Sequence, residues 1–182
     1  MDKLEASRRL VNVFRQHGYE GATLSRISQA TGLGKASLYH HFPNGKQEMA
    51  KAVLEYVSQW FGAAILEPLH SSGEPRKRIL AMNESLKQFY NCGQDACLLA
   101  LFSLGESNDL FHEQVSYALN AWIDGLAQVL EEAGLPKTQA RQRAENAVIQ
   151  VQGALVLTRG LNSTAPFERV LEQLPDQLLH NE

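Results

Sequence analysis

The sequence predicts an all-α protein. Three observations carry that prediction: apolar residues recur at three- and four-residue spacing through most of the chain, no stretch alternates as a half-buried strand would, and Gly, Pro and Ser clusters cut the periodic stretches into helix-sized pieces. No internal repeat is present.

Taken in order, Leu4, Ser7, Val11 and Phe14 share one face of a first helix that ends near His17-Gly18. Thr23 is placed to cap a short helix over residues 24–31, with Leu24, Ile27 and Ala30 inward. Gly32 and Gly34 punctuate the chain before a second short helix over 35–42, where Leu38 and Phe42 face inward. Pro43-Asn44-Gly45 forms a turn. A longer helix over 46–66 carries Met49, Ala52, Val53, Tyr56, Val57, Trp60 and Ala64 on its apolar side, and Pro68 with the Ser71–Pro75 stretch ends it. Further helices are predicted near 75–91, 95–104, 109–132, 137–160 and 166–180, with a kink or early end at Pro175.

Composition bounds the function. The 182 residues are 44% hydrophobic and 20% charged, as expected of a folded soluble protein, and the formal net charge is −3. A uniformly basic polyanion binder is excluded, but a local basic module is not. Residues 1–60 hold eight Lys and Arg against five acids, whereas residues 61–182 hold nine against fifteen. That asymmetry favours a polyanion at the N-terminal end. No apolar run suits a membrane span, and residues 1–20 lack the apolar core of a secretory signal, so no membrane partner and a cytoplasmic location are expected. Cys92 and Cys97 do not make a disulfide framework; the plainest reading is two buried small apolar residues, with thiol sensing and metal binding as alternatives. No cluster suggests a metal or cofactor, and no nucleophile–base pair or phosphate-binding glycine loop suggests an enzyme.

The informative stretch runs from Gly18 to Met49. Two short helices around a glycine-bearing turn outline a helix-turn-helix, and the first helix supplies the third apolar face that the pair needs. The second helix would read DNA. Lys35, Ala36, Ser37, Tyr39 and His40 lie on its outer and N-terminal faces, mixing small residues that allow close approach with polar tips for phosphates and base edges.

Here the sequence resembles the N-terminal domain of the TetR family of transcriptional regulators over residues 4–52. The residues that carry the likeness are Gly18-Tyr19, Thr23, Ile27-Ser28, Thr31-Gly32, the run Leu38-Tyr39-His40-His41-Phe42, and Lys46. Ser28 replaces the usual Ala, and Gly34 stands where Ser is frequent. The resemblance implies an N-terminal three-helix DNA-binding domain over 1–47 and a C-terminal helical domain for effector binding and dimerisation over 48–182. It implies phosphate contacts by Thr23, Tyr39 and Lys46, and base or backbone contacts by Lys35, Ala36, Ser37 and His40. Thr23 is equally a simple N-cap, Tyr39 a core aromatic with an exposed hydroxyl, Lys46 a solvated charge, and His41 a packing or surface residue. By the same likeness the chain is a homodimeric regulator of double-stranded DNA, a repressor released from a palindromic operator by a small-molecule effector.

The C-terminal part names no ligand. Trp60, Phe61, Phe89, Tyr90, Phe102, Phe111, Tyr117 and Trp122 either line an effector cavity or form ordinary core. Ala140, Ala144, Ala147, Val148, Val151, Ala154, Leu155 and Val156, with Phe167, Val170, Leu171, Leu174 and Leu178, give the last two helices apolar stripes suited to a dimer interface or to packing within one chain. The rival reading for the whole chain is a protein-binding adaptor that has lost DNA reading.

Overall fold

The computed structural model describes residues 2–180, and among them all regular structure is helical. The elements are α1 (Lys3–Gly21), α2 (Leu24–Thr31), α3 (Lys35–His41), α4 (Gly45–Phe61) continuing through a π-helical turn (Gly62–Leu66), α5 (Glu67–His70), α6 (Pro75–Phe89), α7 (Leu98–Phe102), α8 (Gly105–Glu132), α9 (Lys137–Leu161) and α10 (Ala165–Leu179). They group into two compact units. One holds the residues up to Trp60 with Leu98–Ser116; the other holds Phe61–Cys97 with the residues from Tyr117 onward.

In the first unit, α1 is the support. Ala6, Leu10 and Phe14 are fully buried, with Val11 and Val13 beside them. Leu4, expected on this face, is 62% exposed, whereas Ser7 is buried because its hydroxyl donates to Lys3 O at 2.9 Å. The predicted end at Gly18 is a real break: Gly18 takes φ 64°, ψ −175°, and one further turn carries Tyr19 inward. Phe14 and Tyr19 meet Phe102 of α7 edge-on, with centroids 5.5 and 6.3 Å away, and Phe102 stacks on Phe111 of α8 at 5.4 Å. Glu20 completes this seam by accepting Glu106 N–H at 3.1 Å, at the start of α8.

In the second unit, Trp122 of α8 is fully buried, donates to Met82 Sδ of α6 at 3.3 Å and meets Phe61 edge-on at 5.6 Å. Buried Arg78 donates to Glu132 and to Leu69 O. The predicted helix over 95–104 is shorter, Leu98–Phe102, because the chain turns through Asn91, Cys92 and Gly93 at φ 47°, 53° and 89°. Cys97 is buried, as expected of both thiols, but Cys92 is only half-buried.

Pro175 neither ends nor interrupts α10, which runs on to Leu179. A proline there cannot donate to the carbonyl of Leu171, four residues earlier. The side chain of Asn83 supplies the missing donor, its Nδ2 lying 2.7 Å from Leu171 O. Helix α10 packs on α9 and α6. The stripe Phe167, Leu171, Leu174 and Leu178 is therefore buried within the chain, with Val170 half-buried, and so are Ala140, Ala144, Ala147, Val148, Val151, Ala154 and Leu155 of α9. Of the α9 residues expected at an interface, Val156 alone is exposed, and it joins Ile149, Leu157 and Leu161 on a face the sequence reading did not select.

Candidate nucleic-acid interface

Helices α2 and α3 have eight and seven residues, too short to be stable in isolation. Their geometry is imposed by caps and by a few buried side chains. Thr23 caps α2, its side chain accepting from Arg26 N–H at 3.4 Å. Ile27 is fully buried and Thr31 nearly so; Leu24 is half-buried and Ala30 exposed, so the inner face of α2 passes through Ile27 and Thr31 rather than through Ala30.

Gly32 closes α2 in the left-handed region at φ 70°, its N–H reaching Ser28 O at 2.8 Å. Side chains then lock the turn: Ser28 Oγ donates to Leu33 O at 2.6 Å, Thr31 Oγ1 donates to Ile27 O at 2.7 Å and accepts from Leu33 N–H at 3.3 Å. Arg9 reaches from α1 to donate to Thr31 O at 3.3 Å, placing a cation at the C-terminus of α2. Ser28 and Thr31 belong to the family pattern, which gives them no part in locking the turn, and Arg9 lies outside it; Thr31 four residues after Ile27 is the available signal.

Helix α3 starts at Gly34 without a side-chain cap and buries one residue of its own, Leu38. Phe42, just beyond, is fully buried. Each fully buried apolar side chain contributes about 1.5–3 kcal/mol, enough to dock about two turns of helix by a single edge. Lys35, Ala36, Ser37, Tyr39 and His40 are all exposed, so the structure brings these five predicted residues to one outward surface. The ring of Tyr39 lies over Gly45, whose φ of 66° and lack of a side chain leave room for it. His41 is half-buried, and its ring meets that of His40 at 5.6 Å.

Lys46 opens α4 and is half-buried rather than a freely solvated charge. Its ammonium lies 4.3 Å from the centroid of the Tyr19 ring. Burial, reinforced by the negative charges of Glu106 and Glu20, holds the Tyr19 hydroxyl protonated above its usual range. Glu48 fixes the same turn: it accepts Asn44 N–H at 3.0 Å and pairs with Lys3 at 3.0 Å. The Asn44 amide and then Lys3 draw its carboxyl below the ordinary carboxylate range. Thr23 is exposed, and its oxygen is engaged as a cap.

The result is a short docked helix with an exposed, mostly polar outer face and no grouped metal ligands among the described residues. No helix among them is long and apolar enough to cross a membrane.

Comparison with known proteins agrees with this geometry. The model of bacterial regulatory proteins of the tetR family matches residues 4–53, and the model of the C-terminal domain of LmrA/YxaF-like transcriptional regulators matches residues 75–173. The transcriptional regulator LmrA of Bacillus subtilis is 24% identical over 179 residues, spanning 96% of this chain and 94% of its own length. The uncharacterized regulator YxaF of the same organism is 27% identical over 168 residues, spanning 90% and 87%. Among solved structures, a TetR transcriptional regulator from Legionella pneumophila superposes with TM-score 0.82 at 23% identity, covering 97% of this chain and 96% of that one. One from Agrobacterium tumefaciens gives 0.78 at 23% identity, covering 98% of each. The structural likenesses bear on the fold and the two family matches on descent, and together they assign this chain to the TetR family of transcriptional regulators.

Proposed function

We propose that the chain is a sequence-specific transcriptional repressor that binds a palindromic operator as a homodimer and leaves it when a small-molecule effector binds. Membership of the family makes it a DNA-binding regulator and not an enzyme. The observation that carries the finer reading is α3, which docks through Leu38 and the adjoining Phe42 and turns Lys35, Ala36, Ser37, Tyr39 and His40 outward. In this reading residues 1–47 read the DNA. Ser37 and His40 face base edges, Lys35 and Ala36 face bases or adjoining backbone, and Thr23, Tyr39 and Lys46 contact phosphates.

Residues 48–182 supply the dimer contact and the effector site. The exposed face of α9 supports self-association: Ile149, Val156, Leu157 and Leu161 recur at helical spacing and have no apolar cover within the chain. A symmetric dimer places two reading helices about 34–36 Å apart or a multiple of it, which requires a two-fold operator. Effector release is a coupling between two sites, so DNA weakens effector binding by the factor by which effector weakens DNA binding.

Selection of bound sites from random duplexes tests the reading. Recovery of an inverted repeat, bound with a steep inverse dependence on salt, is the expected result. A chain that recovers no preferred sequence is an adaptor instead.

A further inference from the structure

The turn between α9 and α10 holds a cavity of about 370 Å³ lined by Gln94, Thr158, Arg159, Asn162, Ser163 and Thr164. All six are polar, one is cationic and none is acidic. Gln94, Arg159, Asn162 and Ser163 are exposed and Thr164 is half-buried, so the pairing expected of buried polar groups bears on Thr158 alone. Thr158 is 2% exposed, and its Oγ1 has no hydrogen-bond partner. A buried hydroxyl left unpaired is costly, and a ligand oxygen removes that cost.

Electrostatics select the ligand's sign. Thr164 occupies the cap position of α10 and makes no side-chain cap bond; its carbonyl takes the N–H groups of Phe167 and Glu168 at 3.1 Å and Pro166 has none, so the 15-residue helix contributes the positive end of its dipole rather than open N–H groups. Two of the carbonyls at the end of α9 are taken, Thr158 O by Ser163 N–H at 3.0 Å and Arg159 O by Asn162 N–H at 3.3 Å. The Arg159 guanidinium is exposed and pairs with no carboxylate among the described residues. Donors and positive charge thus dominate a concavity large enough for a small metabolite. At roughly 100° per residue, Thr158 and Arg159 point about 120–140° away from the mean direction of the exposed α9 stripe, so the cavity and the apolar face are separate surfaces.

We propose that this cavity binds a small oxyanion, the phosphate or carboxylate group of a metabolite, with Arg159 as the charge partner, Thr158, Ser163 and Thr164 as hydroxyl donors, and the α10 terminus behind them. The inference does not depend on the reading of α3, and its test contains no DNA.

The experiment is an amide NMR titration of the full chain with potassium phosphate and, separately, potassium acetate, at ionic strength held constant with potassium chloride. Saturable shifts at Ser163, Thr164 and Ala165 are expected with at least one of the two; phosphate alone assigns a phosphoryl ligand and acetate alone a carboxylate. Arg159→Gln should weaken that binding by about tenfold or more, the effect of losing a charge-assisted bond. Thr158→Val should weaken it too while leaving the melting temperature of the unliganded chain unlowered, because the hydroxyl it removes has no partner. The proposal is overturned if neither anion acts beyond chloride, or if both variants bind as tightly as the parent.

Discussion

The ammonium of Lys46 rests 4.3 Å above the ring of Tyr19. Tyr19 is itself packed on Phe111, with centroids 5.7 Å apart, and on Phe102. The lysine at the head of α4 is therefore positioned by an aromatic platform that belongs to the hydrophobic core of the same unit. An ammonium held over a ring has donors left on its open side, which is the geometry that the proposed phosphate contact needs.

Lys46→Ala should weaken DNA binding to all sequences alike and reduce the slope of log K against log salt by about one, as expected for one lost phosphate contact. Binding isotherms at several salt concentrations check this. A loss confined to one operator variant would assign Lys46 to base reading instead.

Leu157 lies on the exposed apolar face of α9 and makes no contribution to the buried core. Leu157→Asp should convert the dimer to monomer, since a carboxylate at the centre of an apolar interface is desolvated without a partner. Sedimentation equilibrium measures it, with circular dichroism expected to stay unchanged. A dimer as tight as the parent would place the interface elsewhere.

Asn83→Ala should cost about 1–3 kcal/mol, because it leaves the carbonyl of Leu171 buried and unpaired. Pro175→Ala restores an N–H at the position that the helix ladder needs. The double variant should therefore lose less stability than Asn83→Ala alone does from the parent. Urea unfolding of the four chains gives the coupling, and strict additivity would contradict the assigned bond.

Glu5 is fully engaged by arginines: hydrogen bonds from Arg8 and then Arg9 lower its carboxyl from 4.5 to about 2. A depressed folded value means that the unfolded chain binds the proton more readily. The associated stability is complete above pH 4.5 and is lost as the pH falls through about 2. Glu5→Gln should remove that part of the acid dependence, read as a flatter stability profile between those values. The pair is solvent-exposed, so the change is small.

Much of this was legible in the residues. The bounds of α2, the cap at Thr23 and the burial of Ile27, Leu38 and Phe42 follow from helical period and cap chemistry, which are local. So does the exposure of Ser37 and His40, since α3 buries one residue of its own, Leu38. Periodicity gives a face but not its angular limits, so Leu4 and Ala30 fall on the apolar face by spacing and yet stand in solvent. Pro175 was read from its missing N–H; that Asn83, 88 positions from Leu171, would supply the donor is a tertiary fact. The same limit applies to α9, where small residues suited close packing but did not say which helix they would meet. They meet partners in their own chain, and the exposed stripe is one face over.

The proposed function rests on base reading by the outer surface of α3. Its most direct test is to determine the preferred duplex sequence of the parent chain and of the Ser37→Ala and His40→Ala variants by the same selection from random duplexes. Altered preference at a few symmetric positions, by about 1–3 kcal/mol at each, with the rest of the site retained, is the expected result. Two variants that select the parent's sequence unchanged, with affinity lowered evenly or not at all, would contradict it.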